Sequence, residues 1–439
     1  MSKSLSIKCD PIDQPAALDP VEGRTWSALY IRVRGRTVTR IWDTKLQEER
    51  SLIYLPVFPI AEWIVSNWWT LLNEPPPSAE LAKFSSTRLP WIKRHCLRSA
   101  ESGLLLPLLY LFNDGRGIRA EWQADEPGAL RNMPGEFVDS GHDYLERSEV
   151  EDVLAEFVSE VLQRTEKLND ERIKQLKENW GAIRGVDAEE AKFCTATGRM
   201  GLDPYDSNLP SELADFLETN IPDPDLPLVR DFTEAAQSDA VAEQWSWVQK
   251  CKADWKLGPI VIQLPIQPGD FSPSPFQHGY QLATKIRAAA GLDSLAPLPS
   301  VEDVAKKVSG RAIRIQDQNH VPGQKIRAVV GWSPENEIVL AGPMSPRKDN
   351  QRFLAACGLY HGLFSCDRSE RLLTHAFTWD QQASRAFAAE LLAPQAALIA
   401  QAGEMVERSK VDELASHFEA SSVVIEKQLE NAGVTLIDE

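Results

Sequence analysis

The apolar residues of this chain change their spacing near residue 144, and that change constrains the fold more than any other feature. Before it they alternate as in half-buried strands. Leu29-Tyr-Ile-Arg-Val-Arg34, then Gly35, then Arg36 to Trp42 reads as a hairpin. Ser51 to Pro59 supplies another strand. Leu104 to Phe112 reads as a buried one, followed by the hairpin turn Asn113-Asp114-Gly115. Ala61 to Leu72 looks like a short helix with aromatic residues on more than one side, stopped by Pro75-Pro76-Pro77. Its Trp63, Trp68 and Trp69 suit core packing, with the lining of a ligand groove as the other reading. After the change, Ser148-Glu-Val-Glu151 has the form of a capping box. It opens the stripe Val150, Val153, Leu154, Phe157, Val158, Val161, Leu162, which has helical spacing.

Further helices are expected over Ala188–Met200, Ser211–Asn220 and Val229–Lys250. Four prolines between Pro265 and Phe276 read as a linker. Beyond it come helices over Gly279–Leu292 and Ser300–Val308, then strands near Ala312–Ile315, Ile326–Trp332 and Glu337–Ala341, the last two joined by Ser333-Pro-Glu-Asn336. Two more helices, Asn350–Phe364 and Trp379–Leu392, follow, the second opened by the capping box Thr378-Trp-Asp-Gln381. The pattern predicts an α+β fold in four stretches. These are a strand-rich α+β domain over 1–143, a helical acidic region over 144–264, a linker over 265–277 and a C-terminal domain over 278–439.

Charge narrows the function. With 47 Lys+Arg against 64 Asp+Glu the net charge is −17, which argues against a chain that tracks phosphate backbones. Between Gly201 and Gln249 stand eleven acidic residues and one basic residue, Arg230. A solvated helical surface is the plain reading, and a docking face for a basic protein the sharper one. Six scattered cysteines with no CxxC pair, and an N-terminus lacking an apolar h-region, predict a reduced, cytoplasmic protein. No apolar stretch approaches the roughly 18 residues of a spanning helix. No P-loop, GxSxG or GxGxxG in a strand context is present, so nucleotide and hydride chemistry gain no support. His95, His142, His278, His320 and His417 form no ligand spacing with cysteine or with each other, apart from the adjacent His95-Cys96.

One constellation carries chemistry. In H-E-x-x-H helices two histidines at i and i+4 bind zinc on one face, and the Glu acts as general base on the metal-bound water. Here the five positions read Cys357-Gly358-Leu359-Tyr360-His361. Downstream, Asp380-Gln-Gln-Ala-Ser-Arg-Ala-Phe-Ala-Ala-Glu-Leu-Leu-Ala-Pro394 closely resembles the second helix of the ImmA/IrrE family of metallopeptidases, E-x-x-A-N-x-F-A-A-x-L-L-x-P. Val411 to Asn431 resembles that family's helix-turn-helix-like tail, and Gly279 to Ala341 fits its lead-in. The resemblance covers about residues 276–437 and implies a zincin-like C-terminal domain with a small sheet.

Carried over by position, His361 matches the second zinc-binding His, Cys357 the first, and Gly358 the general base. The third-ligand position falls on Gln381, with Asp380 the nearest carboxylate, one residue out of register. A Cys357/His361/Asp380 zinc site would still lower the pKa of a bound water. Without the base, hydrolysis loses a factor of about 10² to 10⁴. Cys366 as a fourth ligand would close the site. His375 and Glu370 could stand in as bases, but each reads as a surface loop residue. These departures favour a metal-free protein, with zinc the alternative. Members of the family cleave, or are thought to cleave, Xre-type repressors, and related genes sit in toxin–antitoxin and phage-defence loci. The resemblance therefore implies a pseudopeptidase that regulates by binding a protein, such as a basic DNA-binding repressor or a toxin. An active variant zinc endopeptidase is the second reading. Direct nucleic-acid binding by the tail is disfavoured, because Lys427 is the sole Lys or Arg between Leu414 and Leu429.

Overall fold

The computed structural model describes residues 4–12, 19–77, 89–129, 133–221, 223–252, 274–318, 325–333, 335, 337–343, 345–364, 370–403 and 405–437. With 51% helix and 20% strand the chain is of the mixed α+β class. It divides into two compact units, 1–224 and 225–439. The acidic helical region is thus no unit of its own. Its first helices belong to the N-terminal body and its last two to the C-terminal one. Residues 265–273 of the expected linker lie outside the described residues, whereas Pro275–Gln277 begin a helix that Ser274 caps.

The first unit carries three small sheets. In one, β1 (Leu5–Pro11), unanticipated from the sequence, and β2 (Trp26–Val33) pair antiparallel, with the short helix α1 (Pro20–Thr25) between them. The other edge of β2 holds β3 (Arg36–Thr37) and β6 (Ile53–Pro56). The expected hairpin is therefore short. After Thr37 the chain leaves for a second sheet, where β4 (Ile41–Asp43) lies between β5 (Glu48–Arg50) and β9 (Gly135–Phe137). In the third sheet β7 (Leu108–Asn113) turns at the expected residues into β8 (Ile118–Gln123), with β10 (Gly141–Leu145) beyond.

Helices cover these sheets. The aromatic helix breaks at Asn67 into α2 (Phe58–Ser66) and α3 (Trp68–Asn73), and α4 (Leu89–His95) follows. Asn67 turns its amide back onto the Trp63 carbonyl at 2.8 Å, the competition with backbone bonding that ends helices at Asn. α5 (Arg147–Thr165) buries the expected stripe, Val150, Val153, Leu154, Phe157, Val158 and Val161, against the core of this unit. Truncating Phe157 to Ala would cost about 3–5 kcal/mol. The capping box at Ser148 is not used. The helix starts two residues earlier than such a cap would place it, with Glu146 at the N-cap, and Arg147 pairs with Glu151 at 2.8 Å instead. The sequence reading missed α6 (Glu171–Gly185), whose Ile173, Leu176, Trp180 and Ile183 form a narrow buried stripe in a charged stretch. Then come α7 (Ala188–Arg199) and α8 (Ser211–Asn220).

The second unit begins with α9 (Pro227–Ala235) and α10 (Val241–Lys252), two helices where one was expected. α11 (Pro275–Ala289) and α12 (Val301–Ser309) lead into a sheet ordered β11 (Ile313–Asp317), β13 (Ile338–Gly342), β12 (Ile326–Trp332), β14 (Arg371–Thr374). β11 runs parallel to β13 and the remaining pairs are antiparallel. The sequence did not announce β14. α13 (Lys348–Phe364) lies on this sheet and α14 (Trp379–Leu392) packs on both α13 and α11. The chain ends in α15 (Gln395–Ala402), β15 (Met405–Glu407), α16 (Arg408–Phe418), α17 (Ser422–Asn431) and β16 (Thr435–Ile437). These enclose their own core of Leu398, Val411, Leu414, Phe418, Ile425 and Leu429. No described helix is long and apolar enough to cross a membrane.

Candidate functional site

α13 places Cys357 and His361 one turn apart, and every residue from Leu354 to Phe364 is buried. A helix apolar on all sides belongs between a sheet and other helices, and that is its position here. Two glycines make the close approach to the sheet. A Cβ on Gly362 would lie 2.8 Å from the side chain of Ile338, and one on Gly358 would lie 3.2 Å from that of Leu340. A side chain at Gly358, the position of the general base in the resemblance, would press on the Leu340 side chain of β13.

His361 is 2% exposed, and neither Nδ1 nor Nε2 has a hydrogen-bond partner among the described residues. Burial pushes its pKa down to about 3, helped by the charge of Arg371 and then Arg385, with Asp380 opposing. The imidazole is therefore neutral at physiological pH. Cys357 is buried as well, and desolvation pushes its thiol up to about 11 against the opposing pull of Arg327 and Arg385. At neutral pH it is a protonated, weakly polar group rather than a thiolate.

The strongest feature nearby is a cation. Arg371, at the start of β14, donates from Nε and Nη2 to the Asp231 carboxylate at 2.7 and 2.9 Å, and from Nη2 to Asp380 at 3.1 Å. The amide of Leu372 adds a third bond to Asp231 at 2.9 Å. Burial alone would lower the pKa of Arg371, but the charges and hydrogen bonds of Asp231, then of Asp380, outweigh it and hold it up. The fork-to-fork geometry suits a buried guanidinium–carboxylate pair. Asp231 comes from the acidic stretch of α9, yet it is 2% exposed. This carboxylate is part of the core and not of a solvated acidic face.

Gln381, in the third-ligand position, is fully engaged elsewhere. Its Oε1 accepts from the Thr374 amide at 3.0 Å and its Nε2 donates to the Leu372 carbonyl at 2.7 Å. It ties the first turn of α14 to β14, which is why the expected capping box at Thr378 does not close. Arg385 sits one turn further along α14 and donates to the carbonyls of Thr374 and Ala376. Burial lowers its pKa to about 10.

The expected metal set is therefore not assembled. Among the described residues no group of three or more His, Cys, Asp or Glu is arranged to hold a metal ion. Asp380 is held by Arg371 and Gln381 is spent on backbone bonds, so the donor set does not fit zinc. The free nitrogens of His361 are the one feature that would. Of the alternative bases, His375 is exposed, as expected of a loop residue. Glu370 is not. It is 7% exposed and paired with Lys252. Cys366 lies outside the described residues. Arg371 and Asp231 escaped the sequence reading because they stand 140 residues apart and neither sits in a motif.

In the tail, Lys427, the sole Lys or Arg between Leu414 and Leu429, is paired with Glu430 at 2.6 Å. A scan of the chain against family models gives no match, and neither does a comparison with curated proteins.

Proposed function

We propose that residues 225–439 form a metallopeptidase-like scaffold of the ImmA/IrrE type that does not hydrolyse peptides and acts by binding a protein. Its role would be in the regulation of a repressor, a toxin–antitoxin pair or a phage-defence system. The observation that carries this reading is the Arg371 cation, which takes up the Asp380 carboxylate and adds to burial in depressing the titration of His361. A guanidinium balances buried carboxylates as a metal would, but it cannot supply a bound water of lowered pKa. With Gly358 facing Leu340 there is also no base to use such a water. The net charge of −17 suits a basic partner such as a DNA-binding repressor. The five described cysteines are all free and buried, in keeping with a reducing, cytoplasmic setting.

The test is the metal content of protein purified without chelator or His tag. The expected result is zinc far below one per chain, unchanged in His361→Ala. Near-stoichiometric zinc that disappears in His361→Ala, together with chelator-sensitive cleavage of a purified repressor, would overturn the reading. That outcome would favour a variant zinc endopeptidase using Cys357, His361 and Asp380, a second reading motivated by the unpartnered nitrogens of His361.

A further inference from the structure

The first unit holds a cavity of about 380 Å³ at the corner where α2 meets α3, closed on one side by α6 and on the other by the turn after α7. That volume lies in the range of small-molecule sites. The break of the aromatic helix at Asn67 creates it, by turning Trp68 and Trp69 toward α6 and α7 and leaving Asn67 on the wall. All three tryptophans singled out in the sequence are buried, yet two of them also line this space.

The polar lining is one-sided. Asn67, Asn179, Tyr205 and Asp203 contribute to it, and none of the described lining residues is basic. Asp203 stands at the rim and accepts the Tyr205 amide at 3.0 Å in a tight turn. Among the described residues no cation pairs with it. Partial desolvation, and then the charge of Asp206, push its carboxyl above the ordinary range. Tyr205 in turn donates to Glu190 at 3.4 Å, which brings a further negative charge to the same edge. Inside, Trp69 Nε1 is buried beside the Tyr205 hydroxyl and makes no hydrogen bond of normal geometry.

We propose that this cavity binds a small organic cation, with an alkylammonium or guanidinium group set against the indoles and the Asp203 carboxylate. Indole surface next to an uncompensated carboxylate is the chemistry that recognises such cations. The negative field of the rim raises their local concentration. The amides of Asn67 and Asn179, the Tyr205 hydroxyl and the indole N–H of Trp69 serve a polar substituent on the same molecule. An anion would meet Asp203, Asp206 and Glu190 with no positive side chain among the described lining residues to offset them. The inference stands on the first unit alone and is independent of the proposed function of the second.

The test is a calorimetric and tryptophan-fluorescence titration of the full chain with choline and with agmatine. Inorganic phosphate and 3,3-dimethylbutan-1-ol, the uncharged isostere of choline, serve as controls. The expected result is one saturable site for at least one cation, no phosphate binding, and at least about tenfold weaker binding of the neutral isostere. Asp203→Asn keeps an acceptor for the Tyr205 amide and so preserves the turn, but should weaken cation binding by about tenfold. The proposal fails if neither cation saturates by about 10 mM. It also fails if the isostere binds as well as choline, or if Asp203→Asn leaves cation binding unchanged.

Discussion

His95 and His361 are each buried almost completely, one in either unit, and they meet the cost of a buried imidazole in opposite ways. His95 has both ring nitrogens engaged, Nδ1 with the Leu111 carbonyl at 2.7 Å and Nε2 with Glu74 at 2.9 Å, and its ring stacks on Trp91 with centroids 4.5 Å apart. Glu74 is held in turn by Arg94 through two bonds of 2.8 and 2.6 Å. His361 sits on an apolar helix, with the Arg371 guanidinium the strongest charge acting on it after burial, and has no partner at either nitrogen among the described residues. The first is the ordinary structural histidine, whose polar atoms were satisfied as it was buried. An orphaned pair of nitrogens costs stability and returns none.

The largest effect should come from the carboxylate that grips the buried Arg371 cation. Asp231→Ala leaves the buried Arg371 with Asp380 as its one remaining carboxylate partner among the contacts described above, and should destabilise the second unit by about 3–5 kcal/mol. Amide hydrogen exchange across α13, β14 and α14 reads this locally, which matters because a two-unit chain need not unfold in one step. Unchanged protection there would mean that Arg371 does not organise the site.

The two histidines themselves give the next contrast. His95→Leu removes a stacking partner and leaves the Leu111 carbonyl unpaired, a loss of about 2–4 kcal/mol in the first unit. His361→Leu deletes two unsatisfied polar atoms from an apolar setting, so its effect should lie within about 1 kcal/mol of zero in either direction. Equal losses in the two variants would erase the distinction.

The same asymmetry has a pH signature. His361 titrates near 3 in the folded chain against an ordinary value of 6.5. The fold thus prefers the neutral ring, and the stability tied to it is complete above 6.5 and lost as pH falls from 6.5 toward 3. By linkage the loss is about 2 kcal/mol at pH 5. Asp114 in the first unit works with the opposite sign. Burial pushes it up to about 6 from an ordinary 3.8, so its penalty is relieved as the pH falls through that range. Chemical denaturation at pH 7 and pH 5, read by exchange in the second unit, should show the loss in the wild type and a flat profile in His361→Leu. A wild-type profile that is flat as well would mean that the ring is not neutral-locked.

What the sequence made legible follows from the range of the interactions involved. The stripe of α5, the Asn113 to Ile118 hairpin and the bounds of α14 are local patterns, and they stand where the spacing put them. β1 and β14 were missed because each is specified by its partner strand and carries little pattern of its own. Both capping boxes misled for one reason. A side chain able to cap can find a stronger partner in three dimensions, as Gln381 does on β14 and Glu151 does with Arg147. At the site, the helical spacing of Cys357 and His361 could be read directly. The pairing of Arg371 with Asp231 could not, since a buried ion pair between distant segments leaves no periodicity in either.

Asp380 provides the smallest expected effect and the finest division between the two readings of the site. Its side chain is 28% exposed, and Asp231 retains the bidentate grip on Arg371, so Asp380→Asn should cost less than about 1 kcal/mol. An amide oxygen can still accept from the guanidinium. Asp380 is also the one named influence that favours a proton on His361, so neutralising it should depress that histidine further and leave the acid loss in place. A zinc site built on the same carboxylate behaves otherwise. Replacing a ligand by a neutral amide would strip the metal and take the stability of the bound state with it. A thermal shift of a degree or two with no change in metal content is the expected outcome for Asp380→Asn. A large shift accompanied by lost zinc would transfer the argument from the guanidinium to the metal.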